Sequence, residues 1–228
     1  MSARHERFCV AHPEIHGHVL PYFPLFDYRH CIGDRNVICD YRNPNNRVGD
    51  QQRAFSVWWA VEKGGPTDMG LDIGSSKGLT PYAAHVDLFG TGEVHPQERY
   101  RGGGSPYFAD IVHEGATIDA IIPKNSLPFI VSNHSIEHMP PKGSDYGIAA
   151  VLSRWVSLLR SGGVLAMVIP DNDEFDVMGC DPDHKNAWGH SDFQRRVLDQ
   201  VLARGDVKCI EYNTLSNNFS FNVVLEKS

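Results

Sequence analysis

The stretch Gly70-Leu71-Asp72-Ile73-Gly74-Ser75-Ser76-Lys77-Gly78 carries an apolar run into a glycine-rich turn, where backbone can approach a ligand without interference from Cβ atoms. Such a turn belongs at the carboxyl end of the first strand of a parallel sheet. Its spacing fails both phosphate-binding fingerprints: G-x-x-x-x-G-K-[ST] is absent, and Ser76 stands where G-x-G-x-x-G has its second glycine. Further on, His85-Val86-Asp87-Leu88 ends a second β-rich run with a carboxylate, suited to accept two hydrogen bonds from a ribose 2′,3′-hydroxyl pair. The two runs together fit an adenosine-containing ligand that has no diphosphate.

Outward from this pair, short apolar runs alternate with helical spacing, the pattern of a parallel sheet covered by helices. Upstream, Asp50 to Lys63 reads as a helix, with apolar Ala54, Val57, Trp58 and Val61 and a Gly64-Gly65-Pro66 stop. Downstream we expect a third strand near YFADIV, a central strand at LPFIVSN, and a helix over Tyr146 to Arg160 closed by Gly162-Gly163. A fifth strand at VLAMVIP, a helix over Ser191 to Ala203 and a terminal hairpin made by DVKCIEYNT and NFSFNVVLEK complete the order. Gly90 to Pro106 is too long for a simple turn and is a candidate substrate loop.

At 228 residues and 41% apolar composition, the chain suffices for one substantial core. Residues 1–49 carry Pro13, Pro21, Pro24 and Pro44 among aromatics and histidines, which suits irregular segments; we divide the chain into this extension and a 50–228 domain. Five scattered cysteines contain no C-x-x-C pair, so neither a disulfide framework nor a zinc knuckle is indicated. A formal charge of −7 disfavours nucleic acid as partner. No run approaches the ~20 apolar residues of a membrane span, and the first residues lack a secretory apolar core, so the expectation is a cytoplasmic protein with no membrane partner.

On these residues the chain resembles the class I S-adenosylmethionine-dependent methyltransferases of the type 11-like kind. Their first motif is similar to Leu71 to Gly78 and their ribose acid to Asp87. Phe129 to Met139 resembles their fourth-strand motif and Leu159 to Pro170 the helix-turn-strand that follows, so the resemblance spans about residues 69 to 228. It implies a Rossmann-like fold: α/β, doubly wound, with a mostly parallel seven-stranded sheet and a terminal antiparallel hairpin strand. The cofactor implied is S-adenosyl-L-methionine, with S-adenosyl-L-homocysteine as product. Cofactor positions implied are Asp72, Gly74, Ser75, Lys77, Asp87, Leu88, Asn133 and His134, with Gly115, Ala116 and Asp119 in the adenine slot, where the family's usual acid is not evident.

His134 and His138 fall just past the fourth strand, where an imidazole could deprotonate an acceptor hydroxyl. Asp171, after the fifth strand, could orient a histidine or be a solvated loop acid. His134-Ser-Ile-Glu-His138 also matches the H-x-x-E-H zinc-protease signature, but that needs one helix through both histidines, and Pro140-Pro141 cuts the segment. Asp171 to Pro182 lacks the glycine and the final glutamate of a calcium loop. A D-x-H-x-x-x-W segment, similar to one in some of these methyltransferases, makes His184 and Trp188 candidate substrate contacts. Divalent-metal binding by His134, His138, His184 and the Asp171 cluster, or by His5, His12, His16 and His18, is conceivable; no metal is assigned. One of Arg47, Gln51, Gln52 and Arg53 may be taken as a charge-assisted contact to the cofactor carboxylate, or all four as exposed helix residues.

No N/D-P-P-Y tetrapeptide follows the fourth strand, which disfavours nucleobase amino acceptors. The reading is methyl transfer to a hydroxyl of a small-molecule or carbohydrate acceptor. Tyr22, Phe23, Phe26, Tyr28 and Tyr41 could form a lid or a homodimer contact. Two rivals stay open: an NAD-type oxidoreductase on a similar sheet, and a non-catalytic cofactor-binding module.

Overall fold

The computed structural model describes residues 48–65, 67–75, 80–90, 109–214 and 219–228. Helix α1 (Val48–Lys63) leads into strand β1 (Gly70–Ile73), followed by β2 (Ala83–Asp87) and β3 (Ile111–Val112). After a 3₁₀ segment at Gly115–Ala120 come β4 (Leu127–Asn133), a 3₁₀ turn at Ile136–His138, α2 (Asp145–Leu158) and β5 (Leu159–Pro170). The chain closes with α3 (Val177–Cys180), α4 (His190–Phe193), a π-helical segment (Gln194–Leu198), α5 (Asp199–Leu202), β6 (Val207–Thr214) and β7 (Ser220–Lys227).

Among the described residues the seven strands form one sheet in the order β3-β2-β1-β4-β5-β7-β6. The pairings from β3 through β5 are parallel, while β7 runs antiparallel to both β5 and β6. This is the expected doubly wound, mostly parallel α/β sheet with an antiparallel terminal hairpin. The chain leaves β1 in one direction toward β2 and returns on its other side as β4, so the order reverses between β1 and β4. In open α/β sheets ligands bind in the crevice beyond the carboxyl ends at such a reversal.

Strand periodicity divides the core between the two faces. Leu165, Met167 and Ile169 of β5 pack with Leu71, Ile73, Trp155 and Phe193, whereas Val164, Ala166 and Val168 pack with Phe129, Phe55 and Trp59. Both faces are therefore covered, which explains why the strands read as continuous apolar runs. On α1 Phe55, Trp59 and Ala60 are buried in this second cluster, while Trp58 is half-buried against it.

Helix α2 begins where the Ser144 side chain accepts the amide of Gly147 at 3.0 Å, with Asp145 in the first turn facing the positive end of the helix dipole. It buries Ile148, Val151, Leu152, Trp155 and Leu158, each removing roughly 1.5–3 kcal/mol worth of apolar surface from water. Its end corrects one expectation. The helix stops at Leu158, not at Gly162-Gly163, because Leu159 is extended and already pairs with Leu127. The glycines lie inside β5, where the register to β4 shifts, so they accommodate a bulge. The helix expected over Ser191 to Ala203 is likewise interrupted by the π-helical segment. The proposed division at residue 50 falls in the first turn of α1, and residues 1–47, with their histidines, aromatics and Arg47, lie outside the described residues.

Candidate functional site

The carboxyl ends of β1 and β4 meet at the reversal point. Gly74 leaves β1 with a φ of 74°, a left-handed conformation that side chains disfavour, and a Cβ there would fall 2.3 Å from Ser135 Cβ. Glycine is thus required twice over: for the turn and for the close approach of the β4 loop. The turn is fixed by Gly74 and Ser75 amides donating to the Val86 carbonyl at 2.9 and 3.3 Å. Across it, Ser132 and Ser135 share a 2.9 Å hydroxyl contact, and the Asn133 amide donates to Ser56 Oγ of α1 at 2.5 Å. Asp72 is 6% exposed and accepts the Thr80 hydroxyl at 2.6 Å.

Next to this turn, Asp87 ends β2, half-buried, with Leu88 55% exposed beside it. Asp87 Oδ1 accepts the Phe89 amide at 3.3 Å, a long bond that holds the carboxylate at the strand end. The structure therefore gathers Asp72, Gly74, Ser75, Asp87, Leu88, Asn133 and His134 along one edge. Lys77 lies outside the described residues, as do Ser76, Gly78 and most of the Gly90 to Pro106 loop.

The slot after β3 differs from the sequence reading. Gly115 and Ala116 are buried, and their carbonyls accept Trp155 Nε1 and Arg154 Nη2 of α2, both at 2.9 Å. Asp119 faces Arg154 at 3.5 Å in a partly exposed pair, an interaction of small net energy. These three residues join the 3₁₀ segment to α2. The half-buried acid nearest the strand end is Glu114, whose side chain caps the segment by accepting the Ala116 amide at 3.3 Å.

The loop after β4 supplies the titratable groups. His134 has a φ of 46°; its amide donates to the Val168 carbonyl and its Nε2 lies 2.8 Å from Ser220 Oγ. Burial, reinforced by His184 and His138, lowers its pKa to about 4. The ring is neutral at physiological pH and a weak proton acceptor. Burial also lowers the pKa of His138, whose side chain is 37% exposed.

Between these rings lies Glu137, fully buried, with no other residue hydrogen-bonded to either carboxyl oxygen and only its own backbone amide acting on the carboxylate. Desolvation pushes its pKa up to about 8. His138 Nε2 and His184 Nε2 stand 3.8 and 4.0 Å from its Oε1, and the two rings meet edge-on at 4.5 Å. His184 arrives from the segment after α3 because that segment is clamped to the β4 loop. The amides of Lys185 and Asn186 donate to the Glu137 carbonyl at 2.7 and 3.0 Å, and the Asn186 side chain donates to the Met139 carbonyl at 2.8 Å. The H-x-x-E-H match is no protease helix, since only Ile136–His138 is helical, as one 3₁₀ turn.

Two expected roles are corrected. Trp188 is 1% exposed, packs edge-on against Phe193 and donates its indole N–H to Asp145 Oδ1 at 2.8 Å, so the structure places it in the core and not on a pocket wall. Its large apolar ring is better buried in the core than held in a polar pocket. Asp171 is 2% exposed and its Oδ1 accepts the amides of Asp173 and His190 at 3.0 and 2.9 Å, which makes it a turn-forming residue. The acid beside the histidines is Glu137.

A scan of protein-family models and a search of curated protein sequences each returned no match. Solved structures do share the fold. A chain from the Haloferax volcanii complex between the Trm112 methyltransferase activator and a methyltransferase is similar with a TM-score of 0.52 at 12% identity, over 90% of this chain and 99% of that one. A SAM-dependent methyltransferase from Archaeoglobus fulgidus gives a TM-score of 0.50 at 14% identity, over 88% and 100%. The N-methyltransferase NodS from Bradyrhizobium japonicum, in complex with S-adenosyl-L-homocysteine, gives 0.50 at 12%, over 88% and 97%. At these identities the likeness is one of fold.

Proposed function

We propose that this chain is an S-adenosylmethionine-dependent methyltransferase acting on a hydroxyl of a small-molecule or glycan acceptor. One observation carries the reading: at the sheet's reversal point a left-handed glycine turn after β1, closed over by Ser135, adjoins a carboxylate at the end of β2. That arrangement suits an adenosine ligand bearing a small charged tail, with backbone near the tail and Asp87 at the ribose hydroxyls. The fold shared with proteins described as methyltransferases, one of them holding S-adenosyl-L-homocysteine, supports it.

Displacement at a sulfonium needs alignment and the removal of one acceptor proton. In this reading Asp72, Gly74, Ser75, Asn133 and His134 border the cofactor, while His138, the partly exposed imidazole past β4, faces the acceptor. Between the two histidines of that loop, His138 is the exposed one, and the low pKa of His134 suits it to a neutral hydrogen bond with Ser220.

Calorimetric titration with S-adenosyl-L-homocysteine tests the cofactor assignment. Binding with a Kd on the order of micromolar, weakened at least about tenfold by Asp87→Ala, is expected. No binding, or an affinity indifferent to Asp87→Ala, would overturn it, and no binding would favour the oxidoreductase alternative; binding without turnover of any acceptor would favour the cofactor-binding module.

A further inference from the structure

We propose that Glu137, His138 and His184 form a binding site for one divalent transition-metal ion of the zinc type. One ligand atom from each lies within 4.8 Å of the others: a Glu137 carboxyl oxygen and one ring nitrogen of each histidine. Two imidazoles and a carboxylate are the donor set that zinc takes where it keeps a fourth position for water or an oxygen ligand. At metal–ligand lengths of about 2.0–2.1 Å, tetrahedral ligand atoms stand about 3.4 Å apart, so the separations of 3.8 and 4.0 Å from Glu137 Oε1, and of at most 4.8 Å between the histidine nitrogens, have to shorten by about 0.4–1.4 Å, within the reach of side-chain rotation.

Three further features favour an ion over a plain packing contact. Glu137 is a fully buried carboxyl to which no other residue hydrogen-bonds, a placement that proteins avoid unless something pairs with it. His184 Nδ1 lies 2.5 Å from the Val177 carbonyl, so this nitrogen carries the proton and Nε2 presents its lone pair toward Glu137. A ring nitrogen donating to a backbone carbonyl is the usual way a metal-binding histidine is oriented. The backbone clamp from Lys185 and Asn186 onto Glu137 fixes the two segments before any ion binds. His138 is the partly exposed member, so an ion would reach the site from its side.

The proposal goes beyond methyl transfer and is read without cofactor or acceptor, so either reading can fail alone. Full-length protein, treated with a chelator and desalted, is titrated with Zn²⁺ by calorimetry and with Co²⁺ by visible absorption. The expected result is one equivalent of Zn²⁺, a Co²⁺ spectrum of low coordination number, and at least about tenfold weaker Zn²⁺ binding in both Glu137→Gln and His138→Ala. Glu137→Gln preserves volume and His138 is partly exposed, so folded variants are expected; circular dichroism checks them. No stoichiometric binding by the wild type, or binding that neither substitution weakens, overturns the site.

Discussion

Replacing Glu137 with glutamine should change how stability depends on pH. The carboxyl is fully buried without a hydrogen bond from another residue, and burial lifts its pKa from 4.5 to about 8. A raised pKa in the fold means that folding favours the protonated form. The stabilisation is therefore fully present below pH 4.5 and is lost as pH rises through about 8. The gap corresponds to on the order of 5 kcal/mol, an upper value because water entry or local rearrangement relieves a buried charge. Glutamine keeps the size and neutrality of the protonated acid and has no such dependence. Urea unfolding of chelator-treated wild type and Glu137→Gln at pH 5 and pH 9 gives the test, since titrating groups far from the site cancel in the comparison and the neighbours His138, His184 and Asp181 enter only through their coupling to Glu137. Wild type should lose several kcal/mol relative to the variant between the two pH values. Parallel stabilities would refute the unpaired, water-free setting assigned to this carboxyl.

Gly74→Ala places a Cβ against Ser135 at a φ of 74°, so it should lower stability by about 1–3 kcal/mol and abolish S-adenosyl-L-homocysteine binding, read by melting and titration. Trp188→Ala should lower stability by roughly 3–5 kcal/mol in denaturant melts while the folded fraction keeps its cofactor affinity; a selective loss of acceptor affinity at unchanged stability would restore a substrate role. The pKa of His134 falls from 6.5 to about 4 on folding, so its contribution is present above pH 6.5 and lost as pH drops through 4. His134→Gln should flatten the wild-type loss of stability between pH 7 and pH 4, and an unchanged acid limb would show that the ring is not desolvated.

Strand positions were legible because each buried strand is a short apolar run bounded by turn residues. Leu127 to Asn133 matches strand β4 at both ends. The helix after it was placed correctly but ended late, because a glycine pair that reads locally as a stop belongs to a bulge set by pairing with β4. Trp188 was expected at the acceptor from the likeness of its segment alone; in the structure the Asp145 carboxylate and the Phe193 ring enclose it.

The glycine turn and the acid at the end of β2 are local properties, carried by residue type and spacing, and the sequence established both. The grouping of Glu137 and His138 with His184 is not local. It depends on backbone amides of Lys185 and Asn186 reaching the Glu137 carbonyl, bonds between segments far apart in the chain that any residue types could make. Burial also changes the chemistry: the same glutamate would be an ordinary ionised acid in an open loop, and packing on every side turns it into a neutral group at pH 7. Spacing determined where the strands and the ligand turn lie, and tertiary packing decided which titratable groups meet and what charge they hold.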